Sequence, residues 1–356
     1  MSDGPLSSVL GNPDLMTGLS PSDWELLLEQ ARATNLAARI AWAAFDRGLV
    51  ATLPPRPRNH LEAARRQAAW QHRMVRWEVD CIRRALAPVD APVVLLKGAA
   101  YLMADLPAAN GRLFSDIDIM VPRDRLAQAE RALFAHGWHI QPIDAYDQRY
   151  YREWMHELPP MLHVRRQSAL DVHHTIAPLT ARFPVDAQKL FAAARPIGVS
   201  GFFVLAPADM VLHSIIHLFQ EGQFEHGLRD LVDVDDLLRH FGRDASFWMG
   251  LIDRADEHGL GRPLYYAAQQ VTHFCGTPLP QDFVAALRRF WPDRMTRRVM
   301  DAILRAGIAG QQVQGESAFA DFSRWLLYLR GHYLRMPMRL LVPHLIRKGL
   351  RRQAEA

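Results

Sequence analysis

Residues 112–122 read RLFSDIDIMVP, and the run SDIDIMV within it constrains the chain more than any other segment. Asp116 and Asp118 sit two apart among Ile117, Ile119, Met120 and Val121. Apolar, β-branched neighbours of this kind mark a buried strand. A strand has a side-chain period of two, so both carboxylates leave the same face. A rise of about 3.3 Å per residue puts their Cβ atoms roughly 6–7 Å apart. That spacing suits two oxygen ligands aimed at one hard divalent cation, or at a pair of cations. Acids projecting from a hydrophobic strand are costly to hold unless a cation meets them. The alternative is that they lie at an exposed strand end or cap the following helix. If the two do crowd each other, they repel in the absence of a cation. Asp118→Asn is then expected to leave stability level or raise it.

The chain is long enough, at 356 residues, for two or three domains and a sizeable core. Its formal charge of +4 with a pI near 9.3 permits a phosphate-bearing partner without requiring one. Cys81 and Cys275 are the only cysteines and are far apart, which disfavours a disulfide framework or a cysteine zinc site. A reducing cytoplasm fits that usage best. The opening MSDGPLSSVLGNPDL lacks the charged and apolar regions of a signal peptide. No run of about 18 apolar residues is present, so no membrane span is expected.

Along the chain, residues 1–20 look loose. Ser20-Pro21-Ser22-Asp23 is a helix start, with Ser20 as N-cap and Pro21 at the first helical position. That helix is expected to reach Arg47, and PPRPR at 54–58 to break the chain. A second helix, from about His60 to Leu86, repeats Trp70, Met74, Trp77 and Cys81 at helical steps. Strands are expected at 93–96, 117–121, 138–141, 161–165 and 169–173, with helices after Gly98 and from Asp124 to His136. From Pro207 onward the pattern is helical to the end. The expected division is therefore an N-terminal helical segment (1–88), a mixed α/β core (89–205) and a C-terminal helical domain (206–356).

The order of strand, Lys97-Gly98, helix, then Arg112-x-x-Ser115-Asp116-x-Asp118 on the next strand resembles the nucleotidyltransferase fold of the DNA polymerase beta superfamily. More narrowly, Leu96-Lys97-Gly98, Arg112, Ser115-Asp116-Ile117-Asp118 and Val121 resemble a bacterial nucleotidyltransferase-like family with an LKG…R…SDIDhhV signature. The likeness continues at Leu170-Asp171-Val172-His173, at Leu205 to Asp209 with His213 and His217, and at Arg229-Asp230-Leu231-x-Asp233. It covers about 93–240. The resemblance implies that Asp116, Asp118 and Asp171 are catalytic and hold two magnesium ions, or manganese in their place. It also implies an NTP, with ATP as first choice, bound by Lys97, Gly98, Arg112 and Ser115. Gly98 at the turn would let backbone N–H groups approach phosphate. The superfamily's usual Gly-Ser reads Gly98-Ala99 here, so one phosphate-touching hydroxyl is missing, and Lys97 stands ready as a point charge. Lys97 also reads as a strand-end lysine snorkelling to solvent. His173 reads equally as a partner to Asp171 or as a structural histidine.

The implied function is metal-dependent transfer of a nucleotidyl group from an NTP to a small molecule, a peptide or protein, or RNA. RNA is not favoured, because basic residues are not interleaved with base-stacking aromatics. The rival is a catalytically silent accessory protein that binds a nucleotide or a partner protein. A toxin–antitoxin-type enzyme acting on RNA is a third reading. His213 and His217 have the i, i+4 spacing of two metal ligands, but on so apolar a helix they read first as packed core residues. The charged start at Arg229, Asp230, Asp233, Asp235 and Asp236 reads as a solvated face, with Arg229 and Asp233 paired. The basic segment from Arg335 to Arg352, interrupted by Pro343, reads as docked on its own domain, with RNA or anionic lipid as alternatives.

Overall fold

A computed structural model of the chain describes residues 4–198, 201–220, 224, 226–309 and 318–355. The N-terminal helices are α1 (Pro5–Gly11), α2 (Pro21–Ala33), α3 (Ala37–Asp46) and α4 (Pro55–Leu86). Residues 4–20 are thus less loose than their composition indicates: α1 buries Leu6 and Val9, and a 3-10 turn at Pro13–Gly18 buries Met16. Ser20 and Asp23 form a reciprocal capping box that opens α2. The helix expected to reach Arg47 is broken, because Asn35 turns left-handed at φ 57° and α3 restarts after it. PPRPR opens α4 rather than preceding it, with Pro54 as the N-cap. Pro55 occupies the first helical position, where the missing N–H has no partner to lose. Trp70, Met74 and Trp77 have the spacing of a packed stripe but are 55, 41 and 47% exposed; the buried stripe is Leu61, Ala68, Val75, Val79 and Ile82.

The α/β core follows as β1 (Val93–Leu95), α5 (Lys97–Met103), β2 (Ile117–Met120), α6 (Leu126–Ala135), β3 (Trp138–Ile140), α7 (Ala145–Arg149), β4 (Met161–His163), β5 (Ala169–His173), α8 (Ala187–Ala193), β6 (Arg195–Pro196) and β7 (Phe202–Val204). The seven strands make one mixed sheet in the order β3-β4-β5-β2-β1-β7-β6. β1 runs antiparallel to β2, whereas β2 and β5, and β1 and β7, are parallel. The strands at 195–196 and 202–204 are too short to announce themselves by periodicity, and only pairing with their neighbours makes them strands.

The remainder is helical: α9 (Pro207–Gln220), α10 (Gly227–Phe241), α11 (Ala245–Glu257), α12 (Gly261–Cys275), α13 (Gln281–Leu287), α14 (Arg294–Ala309), α15 (Ala318–Arg335) and α16 (Met338–Glu355). Pro343 lies within α16 and does not divide it. No helix among the described residues is long and apolar enough to cross a membrane. The buried apolar residues form one continuous cluster from Leu6 through the sheet to Leu327. α4 packs on α5 and α6, and α1 reaches α12, so the N-terminal helices share the core of the rest.

The start of α10 differs most from its sequence pattern. Asp230, Asp233, Asp235 and Asp236 are all buried instead of solvated. Each meets a cation. Asp236 pairs with Arg39 of α3, Asp235 with Arg239, Asp230 with Arg229 and Asp233 with Arg112. Arg229 therefore takes its neighbour and not Asp233. Two of these partners, Arg39 and Arg112, come from distant sequence, which no local charge pattern reports; Arg229 and Arg239 are local to α10.

Candidate active site

The site begins at the end of β1. The Leu96 N–H donates to the Asp118 carbonyl at 3.0 Å, carrying the β1–β2 ladder up to Lys97. Lys97 opens α5 with φ 43°, in the left-handed region where a non-glycine residue is strained. That turn delivers its Nζ to Asp118 Oδ1, to which it donates at 3.0 Å. On the other side, Asp118 stands opposite Asp171 in the parallel β2–β5 register. Registered residues on neighbouring strands share a face, and Asp116, two residues before Asp118, continues it. Ser115 Oγ donates to Asp116 Oδ1 at 2.9 Å. Lys97, Asp116 and Asp171 border a single cavity of ≈ 300 Å³. Asp118 is 4% exposed, beside Lys97.

Burial alone would raise the Asp118 pKa. The Lys97 charge and a hydrogen bond from His173 outweigh it and hold this carboxyl well below the usual range. The His173 Nε2–H donates to Asp118 Oδ1 at 3.0 Å and lies 3.4 Å from Glu157 Oε2. So His173, left open between a partner of Asp171 and a structural role, partners Asp118. His213 is buried, and burial first, then the charge of Lys97, holds its imidazole well below its ordinary pKa. It therefore enters the site neutral.

The far wall comes from segments that carry no motif. Tyr150, Tyr151, Met155, His156 and Glu157 contribute one side, and Arg335 from the end of α15 another. α9 adds His213, Ile216, His217 and Gln220. Burial, with the charge of Glu157, pushes the Tyr151 phenol up to about 12, so it is a neutral donor at physiological pH. His213 and His217 thus face the cavity; their i, i+4 spacing was the one sequence signal for this wall. For residues 150–157 there was none, because a π-helical turn at Tyr150–Trp154 shows neither helical nor strand period.

Gly98, Arg112 and Ser115 do not border the cavity. Arg112 donates from Nε to Asp233 Oδ2 at 2.8 Å and lies over the rings of Tyr101 and Phe114. A Cβ on Gly98 would collide with Arg112 Nη1 and come within 2.8 Å of Phe114 Cε1. The missing side chain at 98 therefore makes room for the Arg112 guanidinium. His72 of α4 bonds the Arg112 carbonyl at 2.9 Å, and Gln71 accepts from the Phe114 N–H at 3.0 Å. Arg112 and its neighbours thus brace the loop that leads into β2.

Three carboxylates on one face of a sheet, beside a polar cavity, are a donor set that fits a hard divalent cation such as magnesium. Asp116, Asp118 and Asp171 would hold it. Lys97 and His173 already offset part of that negative charge from within. No curated protein and no solved structure matches the chain. One family model, described as an uncharacterised nucleotidyltransferase, matches residues 20–276. That span takes in α2 through α12, including every strand and every acid of the site, and the chain belongs to this nucleotidyltransferase family.

Proposed function

We propose that the protein transfers a nucleotidyl group from an NTP, ATP in the first instance, to a hydroxyl acceptor in the cavity beside Asp116 and Asp171. The observation that carries this reading is the meeting of Lys97, Asp116 and Asp171 at one cavity with Asp118 paired to Lys97 beside it. Magnesium, when bound, would neutralise triphosphate charge and favour the ionised acceptor. The acceptor oxygen bonds to the α-phosphorus as pyrophosphate leaves, and Asp171 takes the hydroxyl proton. Lys97 offers the leaving phosphates a compact positive charge. Arg335, on the opposite wall, supplies a second cation for the same phosphates. Tyr151 donates a neutral hydrogen bond to nucleotide or acceptor.

The test is to incubate the purified protein with magnesium and each α-labelled NTP in turn, alone and with cell extract. A labelled product formed by the wild type and not by Asp118→Asn supports transfer. One observation favours the rival, a silent binding module: Lys97 is already ion-paired with Asp118 and so is not held out toward phosphate. A silent module would bind nucleotide without labelling anything, and Asp118→Asn would complement the cellular phenotype at wild-type level.

A further inference from the structure

We propose that His156, Glu157 and His173 form a binding site for a first-row divalent transition metal, such as zinc, distinct from the magnesium position among the aspartates. Glu157 faces His173 across an antiparallel bridge, and two more backbone bonds lock the segments together. The Leu158 N–H donates to the Val172 carbonyl at 2.9 Å and the His174 N–H to the His156 carbonyl at 2.8 Å. The three side chains are thus delivered by two backbones in fixed register. Glu157 Oε2 lies 3.4 Å from His173 Nε2 and 3.8 Å from His156 Nε2, and one ligand atom from each of the three falls within 4.8 Å of the others.

Metal–ligand bonds of about 2.0–2.2 Å in a tetrahedron set ligand atoms roughly 3.3 Å apart. The Glu157–His173 separation already meets that figure, and a modest inward turn of His156 completes the set. Two imidazoles and one carboxylate suit zinc, iron or manganese, whereas magnesium prefers oxygen alone. His156 and Glu157 also border the cavity, so the fourth position opens toward it. An open position is what separates a site that binds water or substrate from a closed structural one. The metal would take the place of the proton that His173 Nε2 now donates to Asp118. The inference does not depend on nucleotidyl transfer.

The full-length protein is stripped with a chelator and titrated with zinc alone, in competition with a chromophoric chelator and in excess magnesium. One equivalent should bind and magnesium should not displace it. His156→Ala should weaken it about tenfold or more, while His156→Cys, which restores a donor, should recover most of the affinity. Asp116→Asn/Asp171→Asn should bind zinc as the wild type does, although it would lose any nucleotidyl transfer. Circular dichroism confirms that each variant is folded. Absence of zinc binding, or equal affinity in folded His156→Ala, overturns the proposal. So does zinc that disappears with Asp116→Asn/Asp171→Asn and survives His156→Ala, because that ion sits on the aspartates.

Discussion

Asp118 holds two donors with one oxygen: Lys97 Nζ and His173 Nε2 each reach Oδ1 at 3.0 Å. The crowding of Asp116 and Asp118 inferred from their spacing predicts that neutralising Asp118 is harmless or stabilising. The observed pairing reverses that sign. Asp118→Asn removes a counter-charge of the Lys97 ammonium, 15% exposed, and should cost about 3 kcal/mol in urea unfolding without metal. Asp116, which is half-buried and held by Ser115, carries no such pair among the described residues, so Asp116→Asn should lie within about 0.5 kcal/mol of wild type. An Asp118→Asn protein as stable as wild type would remove the ion pair from this account. Lys97 itself is one of only three lysines in a chain otherwise given its positive charge by arginine. A compact, rotatable ammonium suits a turn with φ 43°, where a planar guanidinium fork has less room to align. Gly98 is governed by its neighbour. Gly98→Ala should push Arg112 off Asp233 and cost about 1–3 kcal/mol, read as a lower urea midpoint. An unchanged midpoint would mean that Arg112 yields without cost.

α9 borders the cavity, and α10 braces the loop that leads into β2. α9 contributes His213, Ile216, His217 and Gln220 to the wall, and α10 anchors Arg112 through Asp233. Arg254 of α11 fixes α9 in turn, its Nε and Nη2 donating to the buried Asp209 carboxylate at 2.6 and 2.9 Å. His213 gives this element a pH signature. Its folded pKa lies well below 6.5, so on acidification the unfolded chain takes up that proton first. The stability it contributes is full above about pH 6.5 and is lost as pH falls toward the folded value. His213→Leu should therefore flatten the loss of stability between about pH 7 and pH 5. The difference in slope should reach about 1.4 kcal/mol per pH unit. Parallel slopes for the two proteins would show that His213 does not titrate with unfolding.

For the whole molecule, a single apolar cluster joins the N-terminal helices, the sheet and the C-terminal helices. Ion pairs cross the same boundaries: Arg39 with Asp236, and Arg112 with Asp233. A division at residues 88 and 205 would expose the buried stripe of α4 and strip α9 from α5. The full chain should unfold in one transition, coincident by circular dichroism and tryptophan fluorescence. A fragment of residues 89–205 should show no cooperative melt. A sigmoidal transition for that fragment would establish the α/β core as an autonomous domain.

The signals legible along the chain are local and periodic. Alternation in SDIDIMV puts two acids on one face of a strand, Ser20-Pro21-x-Asp23 opens a helix, and Pro207 begins the helical half. Such signals depend on neighbours within a few residues, which a pattern records directly. Which charges meet depends on how distant segments pack together. Asp118 faces Asp171 through strand register, Lys97 at the start of α5 and His173 of β5 converge on it, and Asp233 and Asp236 of α10 meet arginines that arrive from elsewhere. Residues 150–157, with no period of their own, became the far wall of the cavity for the same reason. The energy of these contacts lies between residues far apart in the chain, and that separation leaves no trace in a local pattern.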